Sequence, residues 1–267
     1  MMKKLLAIAL CALLVVASTA CVSGGIKIDT DELKEELNEL LDDIKDEIPE
    51  GIPEIDIDDV LGDLPDVLAG GWQVAADFAL SDEQKALFEK GLEKLLGADY
   101  VPIALLGTQV VAGMNYCFLA QTTPVVPDAK PVYTLVFLYQ DLEGNVQLLN
   151  VVDLPIVLNE DGTLSAPGET LMGGWSYAES YEITDELLDC FNKALEGTLG
   201  SNFTAIAQLG AQVVAGTNRC ILAEVTPVVP DPVPHYALVY LYENLEGGAE
   251  LLNIIDFDFG SFCSYGE

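Results

Sequence analysis

QVVAG stands at Gln109–Gly113 and again at Gln212–Gly216. In each copy a run of strand-forming residues leads in and another leads out, so the glycine reads as the turn of an antiparallel hairpin. Turn tips ordinarily carry polar side chains that hydrogen-bond their own backbone. A tip bearing paired valines either ends a buried strand or is covered by a partner.

The second QVVAG is one mark of a longer duplication. At an offset of 103 residues the chain matches itself without a gap from Gly71/Gly174 to Asp153/Asp256. Trp72 aligns with Trp175. TPVVPD recurs at 123–128 and 226–231, LEG at 142–144 and 245–247, and LLN at 148–150 and 251–253. Each copy has the same grammar. A strand (Trp72–Phe78, Trp175–Tyr181) precedes a helix (Asp82–Leu96, Asp185–Leu199). The first helix opens with a capping box, Ser81 and Gln84, and the second is capped by Thr184. Their apolar faces carry Leu87, Phe88, Leu92, Leu95 and Leu96, and Leu187, Leu188, Phe191 and Leu195; Gly97 and Gly200 read as stops. Strands follow at Ile103–Val110, Asn115–Thr122, Val132–Tyr139 and Val146–Val152, with a Pro-rich loop and an Asp-Leu-Glu-Gly-Asn turn between them. One helix beside four or five antiparallel strands predicts an α+β unit, the helix covering one sheet face. The tyrosines and phenylalanines of Tyr133, Phe137 and Tyr139 read as packing on both faces of the sheet.

Charge narrows the functions open to the chain. With 11 Lys and Arg against 44 Asp and Glu, the net charge is -33. Nucleic acid is excluded, because a binder needs cations to displace phosphate counterions, and anionic lipid surfaces are repelled. The first 20 residues read as an export signal: Lys3 and Lys4, then the apolar Leu5–Val16, too short to span a bilayer. Ser18-Thr19-Ala20-Cys21 resembles a bacterial lipobox, which implies cleavage before Cys21 and a lipid anchor there; a plain secretory signal cut at the same bond is the rival reading. Membrane contact is expected only through that anchor. Residues 21–69 read as an acidic tether, with Leu33, Leu37, Leu40, Ile44 and Ile48 forming one stripe on a helix over Asp31–Ile48.

No catalytic constellation stands out. The sole histidine, His235, follows Pro234 at a strand start and aligns with Val132. No CxxC or paired histidines suggest a metal site, and no phosphate-binding loop suggests a cofactor. After the leader is removed and Cys21 lipidated, four cysteines remain. A bridge among Cys190, Cys220 and Cys263 is expected in an oxidising compartment, the pairing left open. Cys117 and Cys220 occupy equivalent strand positions and read as core residues.

These motifs together resemble the cystatins, inhibitors of papain-like cysteine proteases. The apolar-Gly-Gly stretches Leu68–Gly71 and Leu171–Gly174 stand where that family has its N-terminal trunk. QVVAG fits its QxVxG hairpin at every position, Gly216-Thr217-Asn218 continues as family members often do, and Asp141–Asn145 and Asn244–Gly248 fall at its second hairpin. The resemblance implies two tandem cystatin-like domains, 70–157 and 171–260, each a curved antiparallel sheet packed on one helix. It also implies a protease-binding wedge with three edges. These are the trunk (Leu68, Gly70, Gly71; Leu171, Gly173, Gly174), the hairpin (Gln109, Val110, Val111, Ala112, Gly113; Gln212, Val213, Val214, Ala215, Gly216) and the second hairpin (Leu142; Leu245). Such a wedge occludes the protease without catalysing anything. Opening of the valine hairpin into a swapped dimer is a further implication. A non-inhibitory surface adhesion or scaffold lipoprotein is the alternative function.

Overall fold

The computed structural model describes residues 26–27, 68–69, 71–159, 163–167 and 174–263. The leader, Cys21 and the expected tether helix lie outside these residues, as do Gly70, Leu171 and Gly173. Leu68 is described only as strand backbone.

Near the N-terminus, β1 (Ile26–Lys27) pairs antiparallel with β2 (Leu68–Ala69). The first repeat then runs β3 (Trp72–Val74), α1 (Asp82–Leu92), β4 (Ala98–Val111), β5 (Gly113–Pro124), β6 (Val132–Gln140) and β7 (Val146–Asp153). A linker carries the small hairpin β8 (Val157–Leu158) and β9 (Leu164–Ser165). The second repeat follows as β10 (Ser176–Tyr177), α2 (Asp185–Ala194), β11 (Ser201–Val214), β12 (Gly216–Pro227), β13 (His235–Glu243) and β14 (Ala249–Phe257), closed by a 3-10 turn at Phe259–Phe262. The two main sheets have the strand orders β3-β4-β5-β6-β7 and β10-β11-β12-β13-β14. The described residues of 74–108 and from 115 onward form one compact unit, to which residues 109–114 do not belong.

The α+β expectation, a pair of cystatin-like domains each curling one sheet around one helix, is overturned. Strand makes up 50% of the structure and helix 14%, so the chain is mostly antiparallel sheet. Both helices stop short. α1 ends at Leu92 and not at Leu96, and α2 at Ala194 and not at Leu199. A single turn follows each, leaving Leu96 and Leu199 exposed, and Gly97 and Gly200 supply left-handed backbone at φ 103° and 95°. The strands flanking QVVAG are longer than expected, while β3 and β10 are shorter.

The physical reason lies in the outward sheet faces. Each helix covers one face: Phe88 and Leu92 pack with Leu105, Phe118, Ala120, Val136 and Leu138, and Phe191 and Ala194 with Ile221, Ala223, Val239 and Leu241. Gly91 lets α1 approach closely, since a Cβ there would meet the Leu138 side chain at 2.7 Å. The opposite faces are also apolar: Cys117, Leu119, Tyr133, Leu135 and Phe137 in one sheet, Cys220, Leu222, Tyr236, Leu238 and Tyr240 in the other. All are buried. A run buried on both faces is the pattern of a strand covered from two sides. The second cover comes from the other repeat and the linker. Tyr133 meets Tyr177 edge-on at 5.9 Å and donates its hydroxyl to the Ala178 carbonyl at 3.0 Å. The Tyr240 hydroxyl donates to the Ile156 carbonyl at 3.0 Å, and Ile156 packs where Gly210 has no side chain. Burial raises the Tyr133 hydroxyl to about 12 and pushes those of Tyr177, Tyr236 and Tyr240 further up, keeping all four neutral.

Candidate functional site: the second hairpin apex

β11 and β12 meet in a turn of minimal length. Val214 pairs with Gly216, Val213 with Thr217 and Gln212 with Asn218, so Ala215 alone spans the tip. Gly216 carries φ 138°, a conformation L side chains rarely adopt. A Cβ there would also lie 2.4 Å from the Glu243 carbonyl and 2.7 Å from the Tyr242 ring. Thus the end of β13 braces the back of the apex, and only glycine fits between them.

Polar groups hold the rest. The Tyr242 hydroxyl donates to the Ala215 carbonyl at 2.6 Å, fixing the tip residue itself. Asn218 donates to the Gln212 side chain at 2.8 Å across the register pair. Arg219 makes a forked contact to Glu243 through Nε at 2.9 Å and Nη2 at 2.7 Å, tying β12 to β13 just below. What this frame holds up is apolar: Val213 is 75% and Val214 43% exposed.

The second hairpin of the same repeat leaves from the same end. Thr217, one residue past the tip glycine, pairs with Glu243, the last residue of β13. Asn244 closes the turn, its side-chain oxygen accepting from the amides of Glu246 and Gly248 at 2.9 Å each. Leu245 at its crest is 87% exposed. β10 runs antiparallel to β11 with Ser176 opposite Ala211, which puts Gly174 level with the tip residues Val213 and Val214. The described end of the trunk, the valine apex and the leucine hairpin therefore share one end of one sheet.

In the first repeat the residues are distributed differently. Gln109 is buried, 8% exposed; Val110, Val111 and Gly113 are half-buried, and only Ala112 is open. Gly113 has φ 137°, so the turn geometry is retained. Gly71 is half-buried. Leu142 is 73% exposed on a turn built as in the second repeat, with Asp141 in place of Asn244. Asp141 accepts from the Asn145 side chain and amide at 2.8 Å and from the Glu143 amide at 2.9 Å. Those hydrogen bonds, the Asn145 side chain's first, lower its carboxyl below the ordinary range. Lys90 of α1 adds a bond to the Gly144 carbonyl at 2.7 Å.

Sequence reading found the tips and missed their braces. Tyr242, Arg219, Glu243 and Asn244 looked like ordinary strand and turn residues; the signal available was that Tyr139 aligns with Tyr242. The cysteines fall apart as a set: Cys190 points from α2 into the helix-side core, and Cys220 lies on the opposite sheet face beside Tyr240. Of the pairings the sequence leaves open, Cys190 with Cys220 is not supported, because alternation puts Cys220 and Ile221 on opposite faces.

Among the described residues, no helix is long and apolar enough to cross a membrane. No protein-family model matches the chain, and no curated protein is significantly similar to it.

Proposed function

We propose that the chain is a reversible, tight-binding inhibitor of papain-like cysteine proteases, with the second repeat as its principal binding edge. One observation carries the reading: an apolar tip, braced from behind and exposed, stands with Leu245 at one end of one sheet. Placing a valine or leucine of that edge in a groove gains about 1.5–3 kcal/mol each. The frame under the tip loses little freedom on docking, which favours affinity. The QVVAG resemblance supplies the partner class. The tip presents a closed turn to the groove, so occlusion needs no bond to be cut.

The test is titration of active papain with the purified chain. Inhibition at nanomolar concentrations supports the proposal, and full activity at micromolar chain rejects it. A second reading, a non-enzymatic docking module of a cell-surface lipoprotein, is favoured by a different feature. The TPVVPD loops expose Val125, Val126, Val228 and Val229 beside Leu96 and Leu199, through the bonds Val125 to Gly97 and Val228 to Gly200. If papain is untouched and substitutions in these loops abolish attachment of the chain to its parent cells, that reading replaces the first.

A further inference from the structure

Tyr236 sits on the outward face of the second sheet, 1% exposed, and its hydroxyl has no hydrogen-bond partner among the described residues. Buried hydroxyls are rarely left so, because each has given up its bonds to water. The aligned hydroxyl of the first repeat is fully served. Tyr133 donates to the Ala178 carbonyl at 3.0 Å, and the Gln121 amide donates to Tyr133 at 3.4 Å and to the Glu179 carbonyl at 3.2 Å. At the offset of 103 residues Tyr133 aligns with Tyr236, but Gln121 aligns with Glu224. The register sets Glu224 directly opposite Tyr236 across β12 and β13, so the two side chains leave the same face as neighbours. The side chain placed to serve the hydroxyl has thus changed from an amide, which always donates, to a carboxyl, which donates only when neutral.

Glu224 is half-buried, and among the described residues no cation pairs with it. Its register partner on β11 is the neutral Thr204. Burial first, and then the charge of Asp77 from the segment between β3 and α1, raise its carboxyl above the ordinary range. Cys117 of β5 also acts on Tyr236, and burial keeps that thiol neutral. His235 and Asp256, 3.5 Å apart, belong to the helix-side face, because alternation turns His235 away from Tyr236. An ionised carboxylate loses too much by leaving water, whereas a neutral one loses little by turning inward. We propose that Glu224 is a pH-operated partner for Tyr236: neutral, it turns in and donates to the buried hydroxyl as Gln121 does to Tyr133; ionised, it holds to the wet rim and leaves that hydroxyl bare. Acid then completes on the second sheet the bond that an amide makes permanently on the first. A carboxyl raised by folding contributes its stability below its ordinary value and loses it as pH climbs through the raised one.

The experiment follows thermal unfolding of the purified chain at about pH 5 and about pH 8. Wild type, Glu224→Gln, Tyr236→Phe, the double variant Glu224→Gln/Tyr236→Phe and Tyr133→Phe are compared. Glu224→Gln should raise the midpoint by about 4 °C at the higher pH, where it restores a donor, and by less than about 1 °C at the lower. Tyr236→Phe should lower the midpoint at the lower pH and not at the higher, and most of the Glu224→Gln gain should vanish in the double variant. Tyr133→Phe, whose partners do not titrate, should lower it equally at both. A Glu224→Gln gain that is absent, equal at both pH values, or undiminished in the double variant would overturn the proposal. So would a Tyr236→Phe loss larger at the higher pH, which would make the ionised carboxylate the partner. The readout does not involve a protease, so its outcome is independent of the inhibitor reading.

Discussion

Gln109–Gly113 and Gln212–Gly216 are the same five residues on hairpins of the same kind, each with glycine held near φ 137°, yet the two tips meet water differently. The second projects Val213 and Val214 into solvent, while the first keeps Gln109 buried and its valines half-covered. The strand pair below each tip also diverged. Where Arg219 and Glu243 form an ion pair, the aligned Tyr116 and Gln140 share a neutral hydrogen bond at 3.2 Å. Identity of motif is therefore not identity of site; exposure is set by what surrounds the five residues.

The largest expected contrast comes from charging the tips. Val213→Asp/Val214→Asp should weaken papain inhibition at least about 100-fold, since two buried valines contribute about 3–6 kcal/mol together. Val110→Asp/Val111→Asp should weaken it less than about tenfold, and equal losses would erase the distinction between the repeats. Gly216→Ala ranks next. Its methyl collides with β13 in a left-handed turn, a strain of about 1–3 kcal/mol, and should raise the inhibition constant about 30-fold. Thermal unfolding must show that the variant remains folded.

Leu245→Ala should cost about tenfold by removing a large exposed side chain from the edge. Leu142→Ala, on the corresponding exposed turn of the first repeat, should leave papain inhibition unchanged; a matching loss there would bring the first repeat into the site. The smallest effect belongs to Tyr242→Phe. It removes one hydrogen bond to the tip carbonyl, about 1 kcal/mol, and should weaken inhibition about fivefold. Tyr139→Phe, the aligned change, serves as its control.

Much of this architecture can be read in the chain. The repeat offset, the hairpins at QVVAG and at Asp141 and Asn244, and the helix caps at Ser81 and Thr184 follow from turn and capping chemistry that acts over a few residues. VYTLVFLYQ and HYALVYLYE also say that β6 and β13 are covered on both faces. What they cannot name is the cover, because periodicity reports burial and not the neighbour. The α+β reading failed at that point: it gave each sheet one helix and named nothing to pack on the second face. The helix ends were misjudged because Leu96 and Leu199 continue an apolar pattern that no core receives. The braces at Tyr242 and Arg219 are long-range contacts between strands, invisible to any local signal.

Because Tyr133 packs on Tyr177 and bonds to Ala178 of the neighbouring copy, the duplication is not a string of separable beads. Cutting the chain at Pro155 would bare a tyrosine- and leucine-rich wall on either half. Each half would then be prone to clump, so dissecting this molecule calls for point changes, not scissors.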